Sequence, residues 1–117
     1  MERVLGIGGY FLRAADPEGL AGWYHDCLGL EEDDHGVWHQ EAGATVFATF
    51  EAGTEYFGSR AQQVMLNFRV RDLDAMLTQL RDHGAEVAEE SQAMEGVGRF
   101  GWVTDPEGNR IELWQPA

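Results

Sequence analysis

The stretch 103–116, VTDPEGNRIELWQP, reads as a strand, a tight turn and a second strand. In the turn Asp105-Pro106-Glu107-Gly108-Asn109, Pro106 stands where φ near −65° helps and Gly108 where φ must be positive. Beyond it Arg110, Glu112 and Trp114 alternate with Ile111 and Leu113, so one carboxylate shares a strand face with an arginine and a tryptophan. Three readings of Glu112 follow: a metal ligand, half of a salt bridge, or a solvated strand residue.

The hairpin closes the second of two similar units. GIGGYFLRAADPEGLAGWYHDCLGL gives a strand, a helix and Gly29; QQVMLNFRVRDLDAMLTQLRDHGAEV gives a strand, a helix and Gly84. Asp16 and Asp72 sit where helix N-caps belong, Pro17 takes the first helical position, and Gly84 suits a left-handed residue past the helix end. Three short strands are expected after each helix: about 30–34, 36–41 and 44–52, then about 86–95, 98–104 and 109–115. The chain therefore reads as an α+β domain, 1–117, of two βαβββ modules, about 1–52 and 63–117, joined by a linker at about 53–62. One module alone buries too little of its sheet to stand by itself.

Alternation assigns the faces. Val64, Leu66, Phe68 and Val70 go against the helix, while Met65, Asn67 and Arg69 face away. In the first strand Tyr10 and Leu12 go with the helix, and Ile7, Gly9, Phe11 and Arg13 face away. Helix 73–83 puts Leu73, Met76, Leu77 and Leu80 on one side. The far face of the sheet is a mixture of polar and aromatic residues, which suits a cleft.

Composition narrows the chemistry. The net charge of −13 repels phosphate-rich partners, so no nucleic-acid partner is expected, and it attracts cations. Acidity is concentrated in residues 1–58, with 2 Arg against 11 Asp and Glu; residues 59–117 hold 6 against 10. All basic residues are arginine, which removes Schiff-base and lysine-base mechanisms. The single cysteine, Cys27, allows no intrachain disulfide, reads as a small buried hydrophobe and fits a reducing, cytoplasmic setting. The apolar run from Val4 to Leu12 is broken by three glycines and reads as a strand, with no signal peptide and no membrane span expected. No GxSxG setting or dinucleotide loop is present, and the consecutive acids 31–34 read as a solvated hairpin. His25 and His83 read as structural or solvated, and His39 as the better cleft candidate.

RAADPEGLAGWYHDCLGL, NFRVRDLDAMLTQLRDHGAEV and VTDPEGNRIELWQP together resemble the vicinal oxygen chelate superfamily, the glyoxalase and bleomycin-resistance fold. The resemblance implies a cupped mixed sheet built from the two modules, and a homodimer. Its metal-binding members use four ligands, two per module. The matching positions here are Gly9, Met65, a position near Ala48, and Glu112, of which only Glu112 carries a ligating group. Glu51 is the carboxylate nearest Ala48. No divalent metal and no other cofactor is therefore expected, and Glu112 is expected to pair with Arg69, Arg13 or Arg110.

The expected function is binding of a small molecule, cationic or aromatic, as in bleomycin-resistance proteins. The expected cleft comprises Phe11, Arg13, Trp38, Phe50, Met65, Asn67, Arg69, Trp102, Glu112 and Trp114. A glyoxalase-like lyase or isomerase, an extradiol-type dioxygenase, and a non-catalytic interaction domain are the alternatives.

Overall fold

A computed structural model describes all of residues 1–117. Two helices, α1 (Pro17–Leu28) and α2 (Leu73–Asp82), accompany five strands: β1 (Asn67–Arg69), β2 (Glu86–Val87), β3 (Gln92–Met94), β4 (Gly98–Thr104) and β5 (Arg110–Pro116). The sheet order is β1-β5-β4-β2, and β3 also pairs with β4. β1 runs parallel to β5 and the other pairs are antiparallel, so the sheet is mixed. No helix is long and apolar enough to cross a membrane.

Both helices begin as their sequences require. The Asp16 carboxylate accepts from the Gly19 N–H and that of Asp72 from the Ala75 N–H, each at 3.0 Å. Helix α1 ends at Gly29, whose φ of 74° lies in the left-handed region, with its N–H on the His25 carbonyl at 3.0 Å. At the end of α2, His83 Nδ1 lies 2.8 Å from the Gln79 carbonyl oxygen.

The core lies between helices and sheet. Leu20, Tyr24, Cys27 and Leu28 of α1 and Leu73, Leu77 and Leu80 of α2 pack with Val103, Ile111 and Leu113. Gly101 permits this approach: a Cβ there would lie 3.2 Å from Leu77 Cδ2 and 3.4 Å from Leu73 Cδ1. Phe68, Val70 and Met76 join the core from its margin, as alternation predicts.

All five strands come from residues 67–116, in the order strand, helix and four strands, because the expected strand 86–95 is split into β2 and β3. The first half contributes α1 but none of its expected strands: the run from Val4 to Leu12, 30–34, 36–41 and 44–52 form no ladder, and 33–36 is a turn. Tyr10 and Leu12 are exposed rather than packed on a helix, and so is Val64. The reason is physical. Three glycines interrupt 4–12 and four successive acids occupy 31–34, both of which weaken strands. No partner strand within the chain meets these segments. Leu5, Phe11 and Phe47 are consequently 105%, 94% and 87% exposed.

Candidate functional site

Strand register puts Asn67, Glu112 and Trp102 in one row across β1, β5 and β4, and Arg69, Trp114 and Phe100 in the next. Their side chains share the sheet face opposite the helices. Arg110 and Thr104 form the following row.

Glu112 is the polar centre of this face and is 9% exposed. Its Oε1 accepts from Asn67 Nδ2 at 2.7 Å, and its Oε2 from Trp102 Nε1 at 3.2 Å and from the Tyr56 hydroxyl. All three donors are neutral. The expected ion pair is absent: the chain's salt bridges are His25–Asp26, His39–Asp33 and Arg99–Asp74. Arg69 instead spends its guanidinium on the Glu41 carbonyl at 2.8 Å and the Ala42 carbonyl at 3.5 Å. Gly43 makes room, since a Cβ there would meet Arg69 Nη1 at 2.0 Å. Arg110 lies over the Trp102 ring, 5.2 Å from its centroid.

The linker closes over the face. Three tight turns, Thr54 N–H to Glu51, Gly58 N–H to Glu55 and Gln62 N–H to Ser59, fold it into a strap. The Gln62 side chain pins its end by donating to the Arg110 carbonyl and accepting from the Arg110 N–H, both at 2.8 Å. Tyr56 then reaches Glu112 and packs edge-on to Trp102 at 6.1 Å, while Phe50 stacks on Tyr56 at 5.5 Å. Burial, followed by the Glu112 hydrogen bond and charge, pushes the Tyr56 phenol up to about 12, against smaller opposing pulls from the Trp102 indole N–H and then the Arg110 charge. It remains a donor at neutral pH.

Of the expected cleft residues, Asn67, Arg69, Trp102, Glu112 and Trp114 share the face, with half-buried Met65 two residues before Asn67. Phe50 joins through the strap. Trp38 instead packs edge-on against Phe68 at 6.1 Å, and Phe68 belongs to the helix side of β1. Phe11 and Arg13 are exposed in the unpaired N-terminal segment, a correction with the same cause as its missing strand. Sequence reasoning left out Tyr56 and Phe100, and placed Arg110 on this face only as a salt-bridge partner for Glu112. Arg110 and Phe100 follow from alternation on β5 and β4; Tyr56 had only the signal of an aromatic pair in a turn-rich linker.

Open concavities lie elsewhere. One, of about 620 Å³, is an acidic hollow on the outer side of α2 at Asp72, Asp74 and Asp82, remote from the face. A groove of about 430 Å³ passes Trp38, His39 and Glu41 and reaches Arg69 at one end of the face. His39 Nε2 there lies 3.0 Å from the Asp33 carboxylate.

Comparison with known proteins places this geometry. No curated protein matches the chain. TnmS3, an antibiotic binding protein from Streptomyces sp. CB03234, has 22% identity and a TM-score of 0.66 with 100% of both chains covered. A glyoxalase/bleomycin resistance protein/dioxygenase superfamily member from Sphaerobacter thermophilus DSM 20745 has 18% identity and a TM-score of 0.61, covering 96% of this chain and 98% of its own. A lactoylglutathione lyase from Agrobacterium tumefaciens has 20% identity and a TM-score of 0.61, covering 97% and 95%. These likenesses establish the fold. The glyoxalase-like domain family matches residues 10–114, and the chain therefore belongs to that family, within the vicinal oxygen chelate superfamily.

Proposed function

We propose that this chain binds a small aromatic molecule against the sheet face centred on Glu112, without metal catalysis. The observation that carries the reading is the make-up of that face. Trp102 and Trp114, 2% and 8% exposed, and half-buried Phe100 occupy adjacent strands around one buried carboxylate, an aromatic lining that a ligand would share with the strap, where the face of a sheet opposite its helices would ordinarily be polar. Flat rings offer a ligand stacking contacts of about 0.5–1.5 kcal/mol each beyond area burial. TnmS3, described as an antibiotic binding protein, supports small-molecule binding as one use of this fold.

The residues present do not fit the metal of the superfamily's catalytic members. Gly9, Ala48 and Met65 offer no hard donor beside Glu112, and no three His, Cys, Asp or Glu side chains gather to hold an ion. Both Glu112 oxygens already accept hydrogen bonds from the protein. A glyoxalase-like or dioxygenase reaction would need ligands that this face lacks.

The binding unit in this reading is a homodimer of two-module domains, 1–52 and 63–117, in a reducing cytoplasmic setting. Exposed apolar side chains in the first module, Leu5, Phe11 and Phe47 among them, support a second copy as their cover. The test is a tryptophan-fluorescence titration with a panel of planar aromatic compounds, alongside elemental analysis. Saturable binding is expected, weakened about tenfold or more in Trp114→Ala. Failure of the whole panel, or about one tightly held metal per chain, sinks the reading.

A further inference from the structure

Arg110 is the charged group on the face whose side chain makes no hydrogen bond or ion pair. Its guanidinium rests on Trp102, 5.2 Å from the ring centroid. Its Nε is sealed from solvent and has no partner. No carboxylate reaches it, although the chain has 21 acidic residues against 8 arginines. Its strand neighbour on the same face, Glu112, is held instead by Tyr56, Asn67 and Trp102.

The position of this arginine is fixed. Gln62 grips its backbone on both sides at 2.8 Å. Gly58 lies against its stem, so that a Cβ there would sit 3.5 Å from Arg110 Cδ. With the guanidinium over the indole, 5.2 Å from its centroid, and Nε sealed, the two Nη groups remain as a fork that matches a carboxylate. The acceptor on this face is therefore already used, and the donor capacity is not.

We infer that Arg110 on Trp102 is a subsite for an anionic oxygen group, a carboxylate or phenolate, carried by the aromatic ligand. The inference rests on the small-molecule reading above and specifies its ligand class. It opposes the preference set by the overall charge: −13 favours cations at long range, whereas the contact at Arg110 repels them.

Three probes with one ring system and different charge test it: naphthoate, naphthamide and naphthylmethylammonium. Calorimetry reads affinity, and the Trp102 indole N–H signal in NMR reads location. Naphthoate should bind about tenfold or more tightly than the amide, the scale of one charge-assisted hydrogen bond, with the cation weakest. In Arg110→Gln, naphthoate should lose its advantage over the amide measured on the same variant. Arg110→Lys keeps the charge without the fork, so it should retain only part of the preference, and it serves if the Gln variant does not fold. A cation binding as well as the carboxylate, or a carboxylate preference that survives Arg110→Gln, overturns the subsite and leaves small-molecule binding standing. No binding by any probe overturns both.

Discussion

At the residue scale, two buried carboxylates show how partners decide a role. Asp105, 4% exposed, accepts from the Glu107 and Asn109 N–H groups, Asn109 Nδ2 and the Tyr24 hydroxyl, between 2.8 and 3.0 Å. It is a structural knot. Glu112 is equally satisfied, but its donors come from three separate segments: the strap, β1 and β4. A titration follows from the Tyr56 contact. The phenol's ordinary value of 10.0 is raised to about 12 in the folded chain. The folded state keeps the proton longer, so this contribution to stability is whole below pH 10 and is lost as pH rises through about 12. Glu112→Gln removes the charge and the anionic acceptor, and should bring the Tyr56 tyrosinate absorbance step back toward pH 10. Tyr56→Phe identifies the step. A step that does not move in Glu112→Gln would show that burial alone sets it.

At the scale of elements, the tetrapeptide Asp-Pro-Glu-Gly occurs twice, at 16–19 and 105–108, with two outcomes. At 16–19 it opens α1; at 105–108 it turns the β4–β5 hairpin. The two meet, because the Glu107 carboxylate accepts from the Ala15 and Asp16 N–H groups at 2.9 and 3.2 Å. Together with the Tyr24–Asp105 bond, this locks α1 to the hairpin. Asp16→Ala removes an exposed cap and should cost about 1 kcal/mol. Asp105→Ala leaves buried donors without an acceptor and should cost about 3 kcal/mol. Denaturant unfolding measures both; equal costs would mean that the Asp105 network adds nothing beyond a turn. The strap is the second such element, held at one end by Gln62 and in its middle by Tyr56.

At the scale of the whole molecule, the chain is looser than its length requires. Its radius of gyration is 14.8 Å, where a closed domain of this size comes to about 13 Å. Apolar side chains of the first half, Leu5, Phe11 and Phe47 among them, find no cover. The proposed dimer would supply it. Sedimentation equilibrium should give twice the chain mass of 13.1 kDa. Phe47→Asp changes a side chain that is 87% exposed in one copy, so the monomer's own core is untouched. It should weaken the dimer by about 2 kcal/mol. A chain that stays monomeric at all concentrations would leave the first module without the proposed cover.

Local chemistry fixed much of this protein in advance. Caps at Asp16 and Asp72, stops at Gly29 and Gly84, the Asp105–Asn109 turn and the alternation of Glu112 with Leu113 are each set by neighbours in sequence, so they were legible there. The order of elements in the second half, apart from the break between β2 and β3, and the shared face of Asn67, Arg69, Trp102, Glu112 and Trp114 followed from them. Strands 4–12 and 30–52 were not so determined, because a strand exists only through a partner and alternation does not say whether one is present. The partners of Glu112 were not legible either. Arginines at Arg69 and Arg110 suggested a salt bridge, but strap and strand brought Tyr56, Asn67 and Trp102 within reach first. Which donor satisfies a buried carboxylate depends on distances between segments 45 to 56 residues apart in the chain, and only the tertiary structure sets those.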